Sequence, residues 1–152
     1  MNRAAARMVS SFAGAGYAPV APGTVGSAAA LAVGAWAMTG PAWLLPALAI
    51  AATALGLLAI SAAVLDRDAD PGWVVIDEVA GQWIAMLGLA TLTLPGLLAA
   101  FALFRAFDIW KPGPVGWADR QPGALGIMLD DGIAGALAAI LLILARWAWQ
   151  RI

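Results

Sequence analysis

With 152 residues, 63% hydrophobic and only 11% charged, and a mean hydropathy of +0.88, the chain is far more apolar than a soluble domain, which averages about 25% charged and 45–50% apolar residues. Composition therefore places it in a membrane, and the length suits one domain over residues 1–152. A net charge of −1 without a basic run excludes a nucleic-acid partner. The absence of Cys and His excludes disulfides, thiolate chemistry, imidazole bases and histidine metal ligands. Any catalysis must run on carboxylates, Lys, Arg, hydroxyls and a hard cation such as Mg²⁺, Mn²⁺ or Ca²⁺.

In chain order, the two arginines of MNRAAARMVSS precede a Gly- and Pro-broken stretch, unlike the compact apolar run of a removable signal. No charge occurs from Met8 to Leu65. Pro19 and Pro22 interrupt helix early in that run, and Thr24 is placed to cap a helix from about Val25 to Thr39–Gly40. The next helix, Trp43 to Leu65, is the clearest membrane span. Trp36 and Trp43 flank the intervening turn as an aromatic belt would, and the eight Trp together read as interfacial anchors. Asp66–Gly72 reads as a solvated polar loop. Pro71 stands where a calcium loop needs Gly, which argues against that motif.

The uncharged run Val79–Phe104 is either one long span or two helices, and the turn signal at Thr91–Gly96 favours two, near 75–90 and 96–110. The choice decides function. A hairpin returns Arg105 and Asp108 to the side of Asp77 and Glu78, whereas one span separates them. Pro112-Gly113-Pro114 stops that helix, a loop runs to about Met128, and Asp130 or Asp131 caps a final helix to about Trp149. The expected fold is all-α, an integral-membrane bundle of about four to five embedded helices. Six of the basic residues fall on one face, which the positive-inside rule makes cytoplasmic, and all nine acids share it.

Seven of the seventeen charges crowd into Phe104–Gly135. VVIDEVAG (Val74–Gly81) and IMLDDGIAG (Ile127–Gly135) both place two acids before an Ala-Gly pair. Asp77, Glu78, Asp130 and Asp131 can offer oxygens to one cation, while the small residues let two helices approach closely. The alternative is that Asp77 and Asp130 merely cap helices. Arg105, Asp108 and Lys111 recur at a spacing of three, either as an ion-pair ladder or as phosphate ligands (Arg105, Lys111) beside a metal ligand (Asp108). Charges near lipid favour the second reading. APGTVGS (Ala21–Ser27) offers the N–H groups of Gly23 and Thr24 at a helix start, a weak anion signal alone.

Together PVAPGTVGS, VVIDEVAGQW, FRAFDIWKPGPVGWADR and GALGIMLDD-x-x-AG resemble the phosphatidylglycerophosphatase A family, covering nearly all of Pro19–Gly135. The resemblance implies a Mg²⁺-dependent membrane hydrolase. Its substrate would be phosphatidylglycerophosphate, converted to phosphatidylglycerol on the cytoplasmic leaflet of a bacterial inner membrane. On that reading Asp77, Glu78, Asp130 and Asp131 are catalytic and, with Asp108, ligate metal. Arg105, Lys111, Gly23 and Thr24 meet the phosphate, and Asp119-Arg120 closes over the headgroup. A CDP-alcohol phosphotransferase would need an Arg after Asp131-Gly132 and later aspartates, which are absent. A cation channel would need charges at mid-membrane depth.

Overall fold

The computed structural model describes residues 1–64 and 71–151. Those residues form seven α-helices and no strand: α1 (Arg3–Ser10), α2 (Pro22–Ala37), α3 (Leu44–Ala63), α4 (Ile76–Met86), α5 (Leu94–Trp110), α6 (Pro114–Asp119) and α7 (Gly123–Trp149). The expected loop acids Asp66, Asp68 and Asp70 lie outside the described residues. Among the described residues two helices, α3 and α7, are long and apolar enough to cross a membrane.

The hairpin is present. Helix α4 ends at Met86 and α5 begins at Leu94, with Thr93 capping it through the Gly96 N–H and Pro95 in its first turn. Other boundaries differ from the sequence reading. Helix α2 starts at Pro22, not Val25, and Thr24 is not its cap; Ala21 precedes the helix in a left-handed conformation and proline occupies the first turn. Helices α1 and α6 were not anticipated. The largest correction concerns α7, which begins at Gly123, so Asp130 and Asp131 cap nothing and sit in its third turn. Glycine explains the early start: a Cβ on Gly126 would run into the Gln121 backbone, so the loop folds tightly onto the helix.

Packing centres on α4, whose most extensive neighbour is α7. Backbones meet directly there. A Cβ on Gly81 would lie 2.6 Å from the Asp131 carbonyl, one on Gly88 2.6 Å from the Ala139 carbonyl, and one on Gly135 would overlap the Gly81 carbonyl. This is the small-residue packing expected of the two Ala-Gly pairs. Opposite α7, Trp83 is buried between α2 and α4 and its indole N–H donates to the Ala30 carbonyl at 2.8 Å. Trp83 is therefore a core residue, which corrects its assignment to an interfacial belt. The remaining core is largely alanine, whereas Ile50, Leu58, Leu94, Leu98 and Ile140 project outward.

Candidate active site

Four helices deliver polar groups to one end of the bundle. Helix α4 carries Asp77 and Glu78 in its first turn, where the helix dipole favours negative charge. The cap position of α4 belongs to Val75 and not to Asp77, which lies inside the first turn. Helix α7 brings Asp130 and Asp131 from its third turn, and both are nearly dry at 6% and 3% exposure; Asp77 is 7% exposed.

Carboxylate oxygens of Asp77, Glu78 and Asp131 lie within 4.8 Å of one another. This trio is what the close α4–α7 contact produces, because Gly81 and Gly135 set the two backbones together one turn below the acids. Asp130, the neighbour of Asp131 on α7, is not in this cluster. Instead the Lys111 ammonium donates to Asp130 at 2.8 Å and also pairs with Asp119. The expected set of metal candidates thus divides, with Asp130 and Asp108 each beside a cation.

Asp108 pairs with Arg105 one turn earlier on α5, and Arg105 Nη1 also stands 4.0 Å from Glu78 Oε1. Arg105 Nε is buried without a hydrogen-bond acceptor among the described residues. Lys111 ends α5 in a left-handed conformation, φ 47° and ψ 52°, where glycine is usual. A lysine at such a position points to retention of its side chain. Burial opposes the charged ammonium, but the hydrogen bonds and charges of Asp119 and Asp130 outweigh it and raise the Lys111 pKa above the ordinary lysine value.

The weak Gly-rich signal also reaches this end. Gly23 packs so tightly on Glu78 that a Cβ there would overlap its Oε1 and come within 3.5 Å of Arg105 Nη1. Buried Ser27, missed in the sequence, donates to the Gly23 carbonyl at 2.8 Å and steadies that turn. Thr24 is exposed beside it. Arg120 is exposed at the end of α6 and makes no ion pair among the described residues.

The fold and site together define an all-α bundle with two helices apolar enough to cross a membrane and with carboxylates and cations gathered at one end. The sequence profile of phosphatidylglycerophosphatase A matches residues 8–146. The chain belongs to that family and is a phosphatase. It is 36% identical over 139 residues to phosphatidylglycerophosphatase A of Escherichia coli, covering 90% of this chain and 80% of that one. It is also 36% identical over 143 residues to a Bacteroides thetaiotaomicron protein provisionally named phosphatidylinositol-3-phosphatase, covering 88% and 89%. The Haemophilus influenzae phosphatidylglycerophosphatase A is 40% identical over 82 residues, 53% of this chain and 50% of that one. No solved structure matches the chain.

Proposed function

We propose that the chain is an integral-membrane, Mg²⁺-dependent hydrolase of the terminal phosphomonoester of phosphatidylglycerophosphate, acting at the cytoplasmic leaflet of a bacterial inner membrane. The observation that carries this reading is the convergence of Asp77, Glu78 and Asp131 beside Arg105. Three hard oxygen donors this close and this dry hold negative charge that a divalent cation would offset, so the donor set fits Mg²⁺. When bound, Mg²⁺ would polarise a phosphoryl oxygen and neutralise developing charge.

The chain's own groups account for the rest. Arg105, with its unmatched buried Nε, supplies a fork for two phosphate oxygens, and Lys111 adds a point charge. Gly23 and Thr24 contribute N–H groups from the first turn of α2. A carboxylate of the trio accepts the proton of the attacking water as its oxygen bonds to phosphorus. The ester P–O bond breaks, and the departing glycerol oxygen takes up a proton. Asp130 and Asp119 hold Lys111 in place, and Arg120 closes over the headgroup.

Helices α2, α3, α4, α5 and α7 make up the embedded bundle in this reading. Its leucine- and isoleucine-rich exterior suits lipid. After Asp131, α7 continues to Trp149 for roughly 27 Å at 1.5 Å per residue, close to the ~30 Å hydrocarbon core. The acids then lie at the membrane surface and not at its centre. Arg3, Arg7, Arg105, Lys111 and Arg120 share that side, which supports a cytoplasmic site.

The deciding experiment measures inorganic phosphate released from phosphatidylglycerophosphate with Mg²⁺ or with chelator, alongside phosphatidylinositol 3-phosphate. Release from the first substrate, abolished by chelation, is expected. Activity surviving chelation would overturn the metal requirement, and release from the second substrate alone would reassign the headgroup.

A further inference from the structure

Gln82 is the most anomalous residue of the core. It is 0% exposed, and neither Nε2 nor Oε1 has a hydrogen-bond partner among the described residues. Burying an amide without partners is costly, and buried side-chain amides are ordinarily satisfied. An apolar residue of the same size would avoid that cost, so packing alone does not explain a glutamine here.

Its position suggests what does. Gln82 follows Glu78 by four residues on α4, and residues four apart are neighbours on one helix face. Glu78 presents a second anomaly on that face. Its Oε1 lies against Gly23 and near Arg105, but its other oxygen, Oε2, is buried with no hydrogen-bond partner among the described residues. A donor lacking an acceptor and an acceptor lacking a donor thus stand one helical turn apart, below the carboxylate trio.

We propose that Gln82 is a positioning residue for Glu78. Its amide N–H, by way of one buried water, holds Glu78 Oε2 and so turns the carboxylate toward the cation site. Buried waters typically make about three hydrogen bonds to polar groups otherwise unmatched, and outer partners of metal-binding carboxylates orient them. The inference rests on the metal reading of the trio, but not on the identity of the lipid.

The test replaces Gln82 with a side chain of similar volume and no polar head, Gln82→Met, in the purified full chain in detergent. Thermal unfolding is followed in chelator and across a Mg²⁺ titration, with phosphate release measured in parallel. Tm in chelator reports folding apart from the cation, and Gln82→Met should still melt cooperatively there. Losing the outer partner should raise half-saturating Mg²⁺ about 10–100-fold and shrink the Mg²⁺-induced rise in Tm. Gln82→Ala leaves room for water and should shift the Mg²⁺ requirement less.

A Gln82→Met protein with wild-type Mg²⁺ half-saturation and an unchanged Mg²⁺-induced Tm rise would overturn the proposal. A wild-type protein that is stabilised by Mg²⁺ but releases no phosphate would sink the phosphatase reading. Loss of that stabilisation in Gln82→Met would still support the role of Gln82.

Discussion

The two acid pairs are nearly the same in sequence and quite different in structure. Asp77-Glu78 opens a short helix, where unpaired backbone N–H groups and the helix dipole favour negative charge. Asp130-Asp131 lies in the third turn of a helix that starts at Gly123, without that help. The α4 pair contributes both acids to one cluster, whereas the α7 pair divides, with Asp131 joining the trio and Asp130 neutralised by Lys111. Adjacent acids need not share a task. In the α7 pair the nearest cation, Lys111, marks the difference.

This contrast can be broken most directly by comparing two isosteric changes. Asp131→Asn should lower phosphate release by about 10²–10⁴-fold, the range for losing a group that handles charge or protons at the reacting centre. Asp130→Asn acts through Lys111 and should cost about 10–100-fold. Equal losses in the two variants would erase the division of roles. A second comparison uses two glycines of α7. Gly135→Ala forces a Cβ into the Gly81 carbonyl and should destabilise by about 1–3 kcal/mol in detergent melts. Gly132→Ala meets nothing within 4 Å and should be neutral or stabilising by up to about 1 kcal/mol. If both behave alike, backbone contact is not what holds α4 against α7.

The smallest expected effect is a pH dependence. The Lys111 pKa is raised on folding. Its stabilisation is therefore fully present below the unfolded lysine value of about 10.4 and is lost as pH rises through the higher folded value. The Tm difference between wild type and Lys111→Met should stay flat from pH 7 to 10 for this group and narrow only at more alkaline pH. Narrowing near neutrality would assign the effect to another residue. Reporter fusions at Pro41 and Leu94 should lie outside and at Arg120 inside. Leu94 on the inner side would contradict the embedded hairpin.

The hairpin was legible in the sequence because Pro95-Gly96 and the β-branched Thr91 and Thr93 are local signals, read from a few adjacent residues. The close α4–α7 approach was legible too, from the repeated Ala-Gly pairs. The start of α7 was not. Gly123 and Gly126 read as loop, and only the structure shows why glycine suits them: Gly123 has a positive φ of 69°, and Gly126 packs on the Gln121 backbone. The separation of Asp130 from Asp131 was equally hidden, since it depends on Lys111 reaching Asp130 from the end of another helix. Trp83 and Gln82 were hidden for a related reason. In a chain this apolar, hydrophobic pattern barely distinguishes the lipid face from the core, so burial becomes visible only once neighbours are in place.

The glycine contact between α4 and α7 has a consequence for how such a protein diversifies. Where two main chains touch, the gap between their carboxylates is set by parts that no substitution can trim, much as a rivet sets the jaw of a pair of pliers. Side chains elsewhere can vary while that opening stays the same size. Adaptation to a different lipid headgroup would then fall to exposed side chains at the rim, such as Arg120 at the end of α6, leaving the reacting end of the molecule unaltered.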